Sequence, residues 1–284
     1  MKKITANFEI SLRADPDTGQ MAPSIRIKGL LPQNGTDLIL LVHGFNNTQK
    51  ASSDNYKSFT DKLTRQAGME NYPAVICPFY WPSNRRNALV SAASYVQQLK
   101  KSLICARMLA DYLLWFTIQR PQSRLIFIGH SMGCRLILEA ITFMESKRPW
   151  SGPRLSLIAL MAAAVPTGML RPGGRLSAIR ENGKRFLGLS STKDLMLASV
   201  FPSAQTLARE GLFPAAVGYK GEPWDLWNAG ATDTSLAHTA YWSSTDAGSK
   251  VGAAIGLAHI RTLNERKLTE RKLNTYSFNR LESG

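Results

Sequence analysis

Residues 125–134 read Leu125-Ile126-Phe127-Ile128-Gly129-His130-Ser131-Met132-Gly133-Cys134. The first four are a solid apolar run, the pattern of a parallel strand buried on both faces. After the run, Gly133, Ile137 and Ile141 recur at helical spacing, with Leu136, Ala140 and Met144 beside them. Between strand and helix stands G-x-S-x-G. A tight strand-to-helix turn projects the Ser131 hydroxyl above the sheet, and the small residues two before and two after let the turn close. The helix starts at the serine, so its free N–H groups and dipole favour a negative oxygen nearby.

Working outward, the same alternation recurs. Leu38–Val42, Ala74–Tyr80 and Leu155–Val165 are apolar runs that read as strands, with Pro78 placed near its strand's end because it lacks a ladder donor. Residues 4–12 and 24–29 alternate apolar and polar, as edge strands do. Phe186–Leu189 and Leu226–Ala231 are weaker strand candidates. Helical spacing marks 52–67, with Ser52, Ser53 or Asp54 as cap, then 87–119, stopped at Pro121, and a terminal helix over 249–268. Buried strands alternating with helices predict an α/β fold with a mostly parallel sheet flanked by helices. No Pro-, Gly- or Ser-rich linker divides the 284 residues. We therefore expect one domain over 1–284, with its core at about 36–260 and a basic polar tail at 261–284.

Composition narrows the function classes. Cys77, Cys105 and Cys134 are odd in number and lie in apolar runs, so they read as small buried hydrophobes and not as disulfide or zinc ligands. No H-E-x-x-H, Walker A loop or G-x-G-x-x-G occurs. The N-terminus has no long apolar run of a secretory signal, and no stretch reaches the ~20 apolar residues of a membrane helix. The expectation is a cytoplasmic protein, with peripheral membrane association or a signal-independent export route left open.

On the G-x-S-x-G and its setting, the chain resembles the α/β-hydrolase superfamily. It is most similar to a bacterial branch whose early strand ends in H-G-F-N, here His43-Gly44-Phe45-Asn46. Phe79-Tyr80-Trp81-Pro82-Ser83 resembles that branch's W-P-S, and His238-Thr239-Ala240-Tyr241 its late His-x-x-Tyr. The likeness covers roughly residues 36–245. The resemblance implies a nucleophilic Ser131, a histidine base and an acid, in the chain order Ser, Asp or Glu, His.

Of the four histidines, His43 precedes the serine and is expected to shape the oxyanion loop. His130 adjoins the serine, so its side chain should point elsewhere. His259 falls in an apolar helical stretch, which leaves His238 as base. The superfamily's usual acid position falls at Asp194, with Asp225 and Asp233 as runners-up. A helix N-cap is the competing role for Asp194. The superfamily's oxyanion hole implies backbone donors from Met132 and Phe45. Asn46 and Arg175 are the candidate substrate contacts, although Asn46 and Asn47 also suit capping of the next helix. This chemistry calls for no cofactor or metal.

The remaining feature is charge, 35 Lys and Arg against 20 Asp and Glu, or +15. From Lys147 to Arg185 eight basic residues face only Glu181, so this segment carries +7, nearly half of the excess. The tail from Arg261 adds +3. The segment reads either as a solvated basic face or as a rim that draws anionic substrate or lipid headgroups towards the site. Three functions follow. The first is a serine hydrolase of esterase type acting on a small-molecule ester. The second is a lipase, phospholipase or acyltransferase at an anionic membrane surface. The third is a non-catalytic basic binding protein on a hydrolase scaffold. Nucleic acid is not the expected partner, because no recognition motif accompanies the charge.

Overall fold

The structure is a computed structural model that describes residues 8–65, 72–83, 92–147, 155–180 and 184–256. Eight strands form one sheet in the order β2-β1-β4-β3-β5-β6-β7-β8. They are β1 (Phe8–Arg13), β2 (Met21–Gly29), β3 (Asp37–Val42), β4 (Ala74–Tyr80), β5 (Leu125–His130), β6 (Leu155–Met161), β7 (Phe186–Ser190) and β8 (Ala231–Asp233). Only β1 and β2 pair antiparallel; all other neighbours are parallel. The expected α/β architecture is therefore the observed one. Every residue of β3 and of β5 is buried, as strands covered on both faces must be.

Helices α1 (Gln49–Leu63), α2 (Ala92–Gln119) and α3 (Met132–Lys147) are the long elements. Short helices follow: α4 (Thr167–Leu170), α5 (Phe201–Leu207) and α6 (Val217–Lys220), with α7 over 245–256. A π-turn, Met196–Val200, runs directly into α5. No helix of the described residues is long and apolar enough to cross a membrane.

Several boundaries differ from expectation: β2 starts at Met21, β6 ends at Met161 short of Val165, and the last helix starts at 245. α1 starts earlier and is capped by Thr48, whose Oγ1 accepts the Ala51 N–H at 3.1 Å; Ser52 instead donates back to the Thr48 carbonyl. It also ends at Leu63, short of residue 67. Leu226–Ala231 is not a strand. Trp224–Leu226 form a 3-10 turn and β8 begins only at Ala231. The reason is Trp227, whose indole lies on the bare face of Gly188 in β7, where a Cβ would sit 2.7 Å from the ring. Leu226 beside it is buried, while the Ala229 N–H and the Gly230 carbonyl bond to Phe186 and Gly188 of β7 ahead of the strand. Pro78 is the fifth of seven residues in β4, yet β1 pairs with β4 only from Phe79 onwards. His259, Glu181, Arg148, Arg154, residues 4–7 and 87–91 and the tail 261–284 lie outside the described residues.

The carboxyl ends of β3, β5, β7 and β8 converge on one edge, where parallel α/β sheets place their ligands. Tyr56 of α1 ties this edge together. Its hydroxyl accepts the His43 N–H at 2.7 Å and donates to the Phe79 carbonyl at 3.0 Å. At the opposite end Asp37 and Arg124, both buried, form an ion pair at 2.6 Å that joins the starts of β3 and β5.

Candidate active site

Ser131 sits between β5 and α3 with φ 55°, the left-handed region that L residues rarely adopt. Hydrogen bonds hold the turn there. The Ser131 N–H donates to the Met161 carbonyl at 3.0 Å, and the Ser131 carbonyl accepts from Cys134 (3.0 Å) and Ala164 (3.2 Å). The flanking glycines are required by space. A Cβ at Gly129 would lie 2.7 Å from Ile137 Cδ1, and one at Gly44 would lie 2.9 Å from Ser131 Cβ. The turn, the end of β3 and the first turn of α3 are thus in backbone contact.

The structure brings Ser131, His238 and Asp194 together. The Ser131 hydroxyl donates to His238 Nε2 at 2.9 Å, and His238 Nδ1 donates to Asp194 Oδ2 at 2.6 Å. His238 follows β8, and Asp194 follows β7 and is fully buried. The other oxygen of Asp194, Oδ1, accepts the Leu197 N–H at 3.0 Å. The capping role and the contact with His238 therefore coexist, one on each oxygen. Neither runner-up reaches the histidine. Asp225 pairs with Arg180, and Asp233 accepts from Thr192 and the Ser235 N–H.

Above Ser131, Met132 opens α3 and carries one of the N–H groups that a helix start leaves unpaired. The Phe45 N–H likewise has no backbone partner among the described residues. The loop bearing Phe45 is held by its neighbours. Asn46, at φ 58°, donates its N–H to the Ser83 carbonyl at 3.0 Å, and Asn47 Nδ2 donates to the Phe45 carbonyl at 3.0 Å. Asn46 borders the cleft beside Ser131. Arg175 does not; its guanidinium is engaged by Glu139 and Glu210.

The basic segment is likewise answered in space. Arg171 pairs with Glu222, Arg175 with Glu139, Arg180 with Asp225, and Lys184 with Glu145. Counting along the chain misses these partners because they come from distant elements. The anion-drawing rim, one of the two readings of the segment, is locally neutralised at these four positions.

One contact escaped the sequence. His130 Nε2 donates to the backbone carbonyl of His238 at 2.6 Å, across 108 residues of chain. Adjacency to the nucleophile disqualified His130 as a base and said nothing of its reach. Burial depresses its pKa to about 3, as it does for His43, which stacks on Trp81 at 5.7 Å. Both are neutral at ordinary pH. A histidine with a folded pKa below its unfolded value of 6.5 contributes stability above pH 6.5 that is lost as pH falls towards 3. Each should therefore make the fold progressively less stable as the pH falls through that window. Urea denaturation at pH 6.5, 5 and 4 tests this. His130→Gln should flatten the slope by about half of the two-histidine effect, and an unchanged slope would refute the assignment.

The three cysteines are buried and free, and burial pushes each thiol above its ordinary pKa, Cys105 to about 12. Among the described residues no three His, Cys, Asp or Glu side chains are grouped to hold a metal ion.

A parallel sheet with helices on its faces and a serine on a strand-to-helix turn defines an α/β hydrolase. The chain belongs to the family described as "Alpha/beta hydrolase of unknown function (DUF900)", whose model matches residues 24–165. That segment contains the H-G-F-N strand end and Ser131, and ends before Asp194 and His238. Similar solved structures include a predicted CIB-like hydrolase from Thermoplasma acidophilum, at 15% identity and TM-score 0.42, covering 83% of this chain and 92% of that one. MenH from S. aureus matches at 9% identity and TM-score 0.38, covering 80% and 96%. An extracellular alpha/beta-hydrolase from a Paenibacillus species matches at 11% identity and TM-score 0.37, covering 78% and 98%. No curated protein matches the chain.

Proposed function

We propose that this protein is a serine hydrolase that cleaves carboxylic esters through Ser131, His238 and Asp194. The observation that carries the reading is the unbroken hydrogen-bond chain from Ser131 Oγ through His238 to the buried Asp194. A serine hydroxyl is a weak nucleophile until a base takes its proton, and the base needs an acid to fix its tautomer. In the proposed cycle Ser131 Oγ bonds to the ester carbonyl carbon while its proton passes to His238 Nε2. The carbonyl oxygen becomes an oxyanion facing the Met132 and Phe45 N–H groups. Collapse breaks the bond to the leaving alcohol, which takes the proton from His238. Water, deprotonated by His238, then cleaves the acyl–serine bond and releases the carboxylic acid. Asp194 orients the imidazole and stabilises the imidazolium as it forms.

A small-molecule ester is favoured over an anionic membrane surface by the ion pairs that neutralise Arg171, Arg175, Arg180 and Lys184. A fluorophosphonate tests the reading directly, because Ser131 Oγ displaces fluoride to form a stable phosphonyl ester. Labelling should map to Ser131 and slow at least about a hundredfold in His238→Ala. Labelling at another residue, or at the same rate without the histidine, would overturn it.

A further inference from the structure

We infer that the group held beside Ser131 is an uncharged, apolar acyl chain of short to medium length. The inference rests on the serine-hydrolase reading and adds the substrate class. A cavity of about 290 Å³ opens against Ser131 and His238. Its apolar walls are Phe45, Tyr95 of α2, and Met196, Leu197, Val200 and Phe201 of the π-turn and the start of α5. No Lys, Arg, Asp or Glu lines it among the described residues. A carboxylate or phosphate placed there loses its water and meets no counter-charge. Among the described residues, none of the chain's positive charge lines this cavity.

The walls are held in place. Tyr95 stands edge-on to Phe45 at 6.4 Å and to Phe201 at 6.2 Å, and its hydroxyl accepts from Gln205 Nε2 at 3.1 Å. Beyond α5, Glu210 takes a two-pronged bond from Arg135 of α3, at 2.8 and 2.9 Å, with the arginine fully buried. The wall is therefore clamped to the helix that follows the nucleophile. The volume lies just below the ~300–1,000 Å³ of drug-sized sites, which suits a hexanoyl chain better than a hexadecanoyl chain.

The experiment compares p-nitrophenyl esters of acetate, hexanoate and hexadecanoate with the mono-ester of adipate, which is hexanoate-sized and anionic. Hexanoyl should exceed acetyl and hexadecanoyl by about tenfold in kcat/KM and the adipate mono-ester by about a hundredfold. Val200→Trp, which fills the cavity, should lower the hexanoyl-to-acetyl ratio at least about tenfold. The ratio is taken within one protein, so a loss of folded material cancels. Preference for the anionic or the longest ester, or an unmoved ratio in Val200→Trp, would overturn the inference. A binding arm separates it from the hydrolase reading. With Ser131→Ala protein, methyl hexanoate should raise the melting temperature and monomethyl adipate should not. If methyl hexanoate stabilises but the parent turns over no ester, the inference stands and the hydrolase reading fails. If neither ligand stabilises while esters are cleaved, the acyl-site inference fails alone.

Discussion

Ser131→Ala should lower kcat/KM on a neutral aryl ester by about three to six orders of magnitude, with the melting temperature within a few degrees of the parent. The loss is large because the hydroxyl is the only atom removed and the covalent route depends on it. The residual rate would measure what the proposed Met132 and Phe45 donors and the cleft achieve alone. The stability change is small because the hydroxyl's one described hydrogen bond runs to His238. The backbone bonds to Met161, Cys134 and Ala164, which hold the turn, do not involve the side chain. Asp194→Asn should keep the geometry but favour the wrong tautomer of His238, with a loss of about four orders. Initial rates on purified protein, beside circular dichroism melts, decide the matter. An alanine variant that retains the parent rate would move the chemistry to another residue.

Gly133→Ala is expected to destabilise the fold by about 3 kcal/mol or more, a large part of a typical 5–15 kcal/mol total. A Cβ there would lie 2.3 Å from the Val42 carbonyl oxygen and 2.5 Å from that of His43. Those oxygens belong to the end of β3, an interior strand paired with β4 and β5, so they have little freedom to retreat. Accommodation must instead push α3 off the sheet and carry Met132 with it. Gly168 of α4 is the control. Nothing lies within 4 Å of a Cβ there, so Gly168→Ala should be neutral or slightly stabilising. Urea midpoints of the two variants test the contrast. A Gly133→Ala protein within about 1 kcal/mol of the parent would show that α3 can shift freely.

The fold was legible because its strands are solid apolar runs, and burial on both faces leaves no other pattern. Leu38–Val42 and Leu125–Ile128 are the clearest cases. What failed to show were effects of distance. Thr48 outcompeted Ser52 as cap because its hydroxyl alone lies three residues before an unpaired N–H. Trp227 pulled its neighbours out of a strand because a glycine on β7 made room for the ring. Arg175 looked like a substrate contact while Glu139 and Glu210 were remote in sequence. At the candidate site, chain order drew attention to Ser131, Asp194 and His238, and the structure brings these three into contact. The His130 bond to the His238 carbonyl has no local signature, because both of its ends are ordinary residues until the sheet brings them together.

The left-handed backbone at residue 131 has a consequence for which hydroxyl chemistry can occupy this turn. A threonine would preserve the oxygen, but its branched Cβ crowds the preceding carbonyl when φ is positive. Serine, with one substituent on Cβ, tolerates the turn at modest cost, and cysteine shares that shape. Variation at this position is thus channelled towards an exchange of oxygen for sulfur and away from the added methyl group. The bend that turns the serine hydroxyl towards His238 also narrows the set of residues that can replace it.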